Sequence, residues 1–144
     1  MKNHHPIFLI LLLFLSSCAI EPQPINYGKD ACHNCKMNIV DNQHAAEFVT
    51  KKGKCYKFDS IECMLNQAKE FDESSIALYL ICDYGEPGNL TDAKLATYLI
   101  SDAIPSPMGG FLSGFSSQEN AASTHAKVDG EILDWKQLKS KYGL

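Results

Sequence analysis

One order of predicted elements occurs twice along the chain, and it constrains the fold more than any other feature. The first set comprises strands at 45–50 and 54–59, a helix beginning after Asp59-Ser60, and an apolar strand at 76–81. The second set comprises strands at 94–100 and 111–115, a helix from Ser117 to about Lys127, and a strand at 131–133. Residues 135–142 add a short final helix. The repeated order indicates an internal duplication.

The two sets also align residue by residue in one register. Phe58, Ser60, Glu62, Asp72 and Ile76 correspond to Phe115, Ser117, Glu119, Asp129 and Leu133. Neither half is long enough to bury a sufficient core alone. We therefore expect the two units to pack together or to share sheet edges.

The N-terminus predicts a lipoprotein signal. Residues 7–15 form an unbroken apolar run that is too short to cross a bilayer but has the length of a signal-peptide core. The run ends in Leu15-Ser16-Ser17-Cys18, which has the form of a bacterial lipobox, so Cys18 is the expected lipidation site. The alternative is a plain secretory signal with a chance cysteine. Acylation of Cys18 would anchor the chain to the membrane.

These patterns divide the chain into four expected segments. They are a signal peptide at 1–17, a lipid-anchored tether at 18–30, a first unit at 31–83 and a second unit at 84–144. The tether contains Pro22 and Pro24 and shows no periodicity, and residues 37–40 after it suggest a weak strand.

Two thiols and a thioether lie within six residues in Cys32-His33-Asn34-Cys35-Lys36-Met37. Thiolate and thioether sulfurs are soft donors, and together they favour Cu(I) over hard cations. The alternative is a redox or structural cysteine pair beside a core methionine. Met37 favours copper, because a thioether adds little to a zinc site or to disulfide exchange.

Three further residues are candidate ligands. Met108 lies in a loop between Pro107 and Gly109-Gly110, where it either presents its thioether or caps the core. Cys63 lies at the predicted helix start, off the apolar face, where the helix N-terminus is expected to lower the pKa of its thiol. His44 precedes a strand and could supply an imidazole to the same site.

Several function classes are excluded or disfavoured. The formal net charge is -4 and there is no basic run, which argues against nucleic acid as a partner. The chain contains no G-x-S-x-G, no phosphate-binding glycine loop and no H-E-x-x-H. A second close cysteine pair is also missing, so a zinc knuckle is not favoured.

The ordered set of motifs resembles the NosL family, the copper-binding lipoproteins accessory to nitrous oxide reductase. The resemblance runs from Cys18 onward through C-x-x-C-x-M, Phe58-Asp59-Ser60-Ile61-Glu62-Cys63-Met64, Pro107-Met108-Gly109, and the closing segment with Gly130 and Trp135. It implies an α+β fold of two similar ββαβ units, related in architecture to the organomercurial lyase MerB. It also implies Cu(I) binding and delivery of copper to the catalytic copper-sulfide centre of the reductase, on the periplasmic side of a bacterial membrane.

The resemblance implies copper ligands as well. They are a cysteine of the first motif, Cys35 or Cys32, and the methionine of the Pro-Met-Gly loop, Met108. This sequence departs from the family at Lys36, where glycine is common. A cation beside a thiolate lowers the thiol pKa but repels Cu(I).

Three hypotheses follow for the function. The first is a Cu(I) metallochaperone that is not an enzyme, in which Cys32, Cys35, Met37 and Met108 converge on the ion, with Cys63 or His44 in reserve. It serves a copper-enzyme client or that client's membrane assembly complex. The second is a lipid-anchored thiol-disulfide oxidoreductase using Cys32 and Cys35. The third is a structural lipoprotein in which cysteine pairs act as staples.

Overall fold

The computed structural model describes residues 19–144. The predicted signal peptide and the predicted lipidation site Cys18 lie outside the described residues. Within the described part, no helix is both long and apolar enough to cross a membrane.

The first half of the chain forms a four-stranded antiparallel sheet. Its strands are β1 (Ala46–Thr50), β2 (Cys55–Phe58), β3 (Ile76–Cys82) and β4 (Leu90–Asp92), in the order β2-β1-β3-β4. Helix α1 (Ile61–Ala68) and a 3-10 turn (Glu73–Ser75) connect β2 to β3. The sequence did not predict β4, which lies after the expected boundary at residues 83 and 84 but pairs with β3 of the first sheet.

The second half repeats the arrangement with three strands. They are β5 (Thr97–Ile100), β6 (Leu112–Phe115) and β7 (Glu131–Leu133), in the order β6-β5-β7, and helix α2 (Gln118–Val128) connects β6 to β7. Helix α3 (Trp135–Tyr142) closes the chain. In both sheets a hairpin is followed by a helix, and the returning strand pairs with the first strand of the hairpin. The α+β prediction is confirmed.

The two sheets share one main core. The aromatic ring of Phe48 packs against Phe58 and Tyr79 beneath α1, and Trp135 of the second half contacts Tyr79. Gly114 of β6 allows the close approach, because a Cβ at this position would lie 2.1 Å from the Ile81 side chain of β3. The halves are therefore joined by side chains that neither could bury alone.

The expected tether is folded over most of its length. The backbone N–H of Gln23 donates to Glu47 at 2.9 Å, and Lys57 donates to the Pro24 carbonyl at 2.6 Å. Ile25 and Tyr27 pack against the core. This segment covers the second face of the first sheet, which explains why all five residues of β1 are buried.

Candidate metal centre

The Cys-x-x-Cys-x-Met motif forms a tight loop rather than the weak strand predicted at 37–40. Ala31 and Asn38 form an isolated antiparallel bridge, and the Cys32 N–H donates to the Met37 carbonyl at 2.8 Å. Between them Lys36 has φ +68°, in the left-handed region that favours glycine. The loop buries Cys32 and leaves Met37 50% exposed.

The start of α1 supplies the opposite wall of the site. Ser60 is the N-cap of the helix, and its hydroxyl accepts from the Cys63 N–H at 3.1 Å. This cap fixes Cys63 in the first turn, where it is fully buried rather than off the apolar face. Asp59, the residue between β2 and the cap, is buried as well.

Four side chains from these two segments converge. One donor atom each from Cys32, Cys35, Asp59 and Cys63 lies within 4.8 Å of the others. The Cys35 thiol donates to Asp59 Oδ2 at 3.3 Å. From outside the group, the Asn34 amide donates to Cys63 Sγ at 3.3 Å. Two sequence-distant segments thus place three sulfurs and one carboxylate at a single point.

The thiols differ in how readily they ionise. A hydrogen bond from the Cys63 thiol lowers the pKa of Cys32 to about 6. The same bond raises the pKa of Cys63 well above its ordinary value, and burial adds to that rise. The prediction that the helix N-terminus lowers the Cys63 pKa is therefore wrong. The hydrogen bond that Cys63 donates to the Cys32 thiolate favours the protonated form of Cys63, and this effect exceeds that of the helix N-terminus. Burial likewise raises the pKa of Cys35 to about 11.

The donor set suits a metal ion. Asp59 Oδ1 is buried and has no hydrogen-bond partner, which is costly for a carboxylate oxygen unless something else satisfies it. Three thiols provide soft sulfur ligands once deprotonated, and the carboxylate adds a charged oxygen. The cluster is a site that could hold a metal.

His44 lies outside this group. Its Nδ1 pairs with Asp41 at 2.9 Å, and its Nε2 bonds to the hydroxyl of Ser113 at 3.1 Å. Both ring nitrogens are engaged, and His44 and Ser113 are buried. The imidazole therefore ties the first unit to β6 of the second and has no free lone pair for a metal.

Met108 lies in the loop between β5 and β6 and is 43% exposed. The same loop contacts the side chain of Glu62, the residue before Cys63. The remaining cysteines, Cys55 and Cys82, are also free thiols, as are those of the cluster, so no disulfide staples the described residues.

The sequence predictions missed Asp59 and Asn34 as members of the site. Asp59 was assigned only to the helix cap. Its position four residues before Cys63, at the end of a strand, was the available signal. Nothing in the sequence distinguishes Asn34 from an ordinary loop residue.

A small α+β protein with a cluster of three thiols and a carboxylate, all buried except the half-buried Cys35, belongs to the class of candidate metal-binding proteins. The sequence model of the NosL family matches residues 24–143, and the chain belongs to that family. The crystal structure of the copper chaperone NosL from Shewanella denitrificans is similar in fold. It superposes with a TM-score of 0.72 at 19% identity and covers 83% of this chain and 96% of the other. No curated protein sequence matches the chain.

Proposed function

We propose that this protein is a Cu(I) metallochaperone that delivers copper to the catalytic centre of nitrous oxide reductase. The observation that carries the proposal is the convergence of Cys32, Cys35 and Cys63 beside Asp59. Soft sulfur donors favour Cu(I), whereas a site made of carboxylates alone would favour hard cations. Membership of the NosL family and the name of the similar crystal structure support copper as the cargo.

The arrangement suits a carrier that must also release its ion. Cys32 is the thiol ionised most readily, so it makes the first bond to Cu(I), and Cys35 or Cys63 follows with loss of a proton. Met108 and Met37 are the exposed thioethers that we assign to the outer side of the site. An incoming client ligand replaces a thioether first, so the ion passes by ligand exchange.

The cellular setting is part of the same proposal. The lipobox ending at Cys18 predicts attachment of the chain to a bacterial membrane, facing the periplasm. The partner is then the copper enzyme or its membrane assembly complex. We assign no enzymatic activity to the chaperone.

An anaerobic Cu(I) titration against a chelating competitor tests the proposal on reduced protein lacking residues 1–18. We expect stoichiometric binding, weakened in Cys35→Ser and Met108→Ala. Leu95→Ala is the matched control for Met108→Ala, because Leu95 is an 81% exposed apolar residue elsewhere on the surface. Equal affinity in the parent and in Cys35→Ser would contradict the proposal.

A thiol-disulfide oxidoreductase is the second candidate function. The lowered pKa of Cys32 favours it, since a thiolate is the nucleophile in disulfide exchange. Cys32 is 1% exposed, however, which restricts access for a protein disulfide. Turnover on a disulfide substrate, lost in Cys32→Ser, would support this function instead.

A further inference from the structure

A buried carboxylate connects the thiol cluster to the Met108 loop. Glu62 is the second residue of α1 and directly precedes Cys63, yet it is only 4% exposed. The Ser106 hydroxyl, which is also buried, donates to Glu62 Oε1. Glu62 Oε2 is buried without a hydrogen-bond partner. A charged side chain is seldom buried at a helix start without a specific contact, and here the contact is the loop.

The loop is seated closely on this side chain. A Cβ added to Gly110 would lie 2.6 Å from Glu62 Oε1 and 2.7 Å from its Cγ. Glycine at 110 is therefore required for the backbone to approach Glu62. Ser106 and Gly110, which flank Met108 in the sequence, thus both contact the Glu62 side chain.

The segment between these two contacts is closed by its own hydrogen bonds. The Gly109 N–H donates to the Ser106 carbonyl at 2.9 Å, and the Ser101 N–H donates to the Phe111 carbonyl at 3.1 Å. Residues 106–110 therefore form a compact turn. A shift of Ser106 or Gly110 on Glu62 carries Met108 with it.

We propose that Glu62 is the positioning residue that seats the Met108 loop beside the thiol cluster and so sets how tightly the thioether holds the ion. The inference deepens the proposed function and rests on it. Its internal comparison is Glu119, which occupies the same place in α2 and is exposed. The carboxylate at this helix position is buried only where a loop with a methionine covers it.

Cu(I) affinity of three variants tests the proposal. Ser106→Ala and Glu62→Ala remove the contact and are expected to weaken Cu(I) binding about 10-fold to 100-fold, the range for outer-shell supports of a metal site. Glu62→Gln keeps an oxygen acceptor for Ser106 and is expected to retain most of the affinity. Glu119→Ala is the matched control and should bind as the parent does.

Two double variants separate positioning from a general loss of structure. Glu62→Ala combined with Met108→Ala should bind no more weakly than Met108→Ala alone, because the seat acts only through the thioether. Gly110→Ala alone should weaken binding by pushing the loop away from Glu62. In a Glu62→Ala background, which lacks the clashing atoms, Gly110→Ala should weaken binding no further than Glu62→Ala does. Additive losses in the first pair, or no suppression in the second, would overturn the proposal.

Amide hydrogen exchange on the metal-free protein provides a readout that does not need copper. Exchange over 104–111 should be faster in Ser106→Ala and Glu62→Ala than in the parent or Glu119→Ala. Unchanged exchange would overturn the seat even if the protein binds copper. If exchange is faster in these two variants but the parent protein does not bind Cu(I), the contact between Glu62 and the loop stands and the chaperone function is rejected. If exchange is faster but Met108→Ala binds Cu(I) as tightly as the parent, the proposed effect of the loop on the ion is rejected.

Discussion

The starts of α1 and α2 have the same design but different chemistry. In each helix a serine caps the first turn, and its hydroxyl accepts from the backbone N–H three residues on: Ser60 from Cys63 at 3.1 Å, and Ser117 from Asn120 at 3.3 Å. The first start faces the Cys32 loop and is buried, whereas Asn120 is exposed.

The residue before each cap extends the contrast. Asp59 accepts from the Cys35 thiol, whereas the hydroxyl and N–H of Ser116 both donate to the Asp83 carboxylate. The second site is therefore satisfied by its own hydrogen bonds, while the first retains the unpartnered Asp59 Oδ1. The duplicated fold therefore supplies a capped helix start in both units. The side chains before the cap and three residues after it, Asp59 and Cys63 in the first unit, decide whether that helix start can bind a metal.

The largest expected effect comes from making the first helix start resemble the second. Cys63→Asn removes one sulfur of the cluster, and we expect Cu(I) affinity to fall by more than about 100-fold, beyond the range of an outer-shell change. Competition with a Cu(I) chelator measures it. Asn120→Ala is the control at the corresponding position and should leave the affinity unchanged. Equal affinities for parent and Cys63→Asn would remove the distinction between the two helix starts.

Removing the hydrogen bond between His44 of the first unit and Ser113 of the second should lower stability without affecting the metal site. His44→Ala leaves the buried hydroxyl of Ser113 unpaired and opens a cavity, so we expect a loss of about 2 kcal/mol in the free energy of unfolding. Urea unfolding measures it. His125→Ala removes the same ring from a half-exposed helix face, where Nε2 bonds to the Gly130 carbonyl at 3.1 Å, and should lower stability by less than about 1 kcal/mol. A loss of Cu(I) affinity in His44→Ala would instead return His44 to the ligand set.

The lowered pKa of Cys32 predicts a pH dependence found only in the first unit. The pKa of this thiol falls from an ordinary 9.0 to about 6 on folding, so the metal-free native protein binds fewer protons than the unfolded chain between these values. Stability from this group is present above pH 9 and is lost as the pH falls towards 6. Cys63 and Cys35 have raised native pKa values, so they stay protonated in the native state over this window. Their unfolded thiols ionise as the pH approaches 9.0, so they add a slope of opposite sign that is confined to the upper end of the window.

Unfolding of the metal-free protein between about pH 6.5 and 8, together with ultraviolet absorbance of the thiolate, measures this effect. The range lies below the ionisation of the unfolded thiols and above that of His33, whose pKa is lowered by burial. Cys32→Ser should abolish the slope and the absorbance change, and Cys55→Ser, a thiol outside the cluster, should keep both. A parent protein whose stability is flat over the window would show that Cys32 ionises normally.

The two caps should differ in what their loss does. Ser60→Ala and Ser117→Ala each remove one capping bond, and we expect each to lower the free energy of unfolding by about 1 kcal/mol. Only Ser60→Ala should also weaken Cu(I) binding, because its cap holds Cys63 in the site. Thermal unfolding and the chelator competition, run on both variants, test this. Weaker Cu(I) binding in Ser117→Ala would contradict the assignment.

The smallest effect concerns the loop that faces the first helix start. Lys36 has φ +68°, a conformation that raises the energy of a residue with a side chain by about 1–2 kcal/mol. Glycine avoids that strain but loses more chain entropy on folding, so we expect Lys36→Gly to stabilise by about 0.5 kcal/mol. Lys29→Gly is the control, since Lys29 is exposed and has an ordinary φ. Chemical unfolding decides between them, and destabilisation of both variants to the same extent would contradict the account.

Much of the fold could be predicted from periodicity and capping. The helix starts at Ser60 and Ser117 and the strand at 76–81 lie where the pattern placed them, because alternation and caps are local signals. Strand β4 was missed since its three residues are ordered only by pairing with β3. The predicted strand at 37–40 is reduced to an isolated bridge between Ala31 and Asn38, because Met37 and Ile39 bond to the residues just before the Cys32 turn and not to a strand of the sheet.

The site could be predicted only in part. The soft donors Cys32, Cys35 and Cys63 were visible as residue types. The role of Asp59 and the saturation of His44 depend on neighbours that are distant in sequence, and no local pattern reports them. The seat of the Met108 loop on Glu62 was hidden for the same reason.

X-ray absorption at the copper K-edge identifies the atoms that hold the ion. We expect a first coordination shell dominated by sulfur in the Cu(I)-loaded parent, with one sulfur fewer in Cys63→Asn and no change in Cys55→Ser. A shell dominated by nitrogen or oxygen, or one that is the same in the parent and in Cys63→Asn, would show that copper is not held by the thiol cluster.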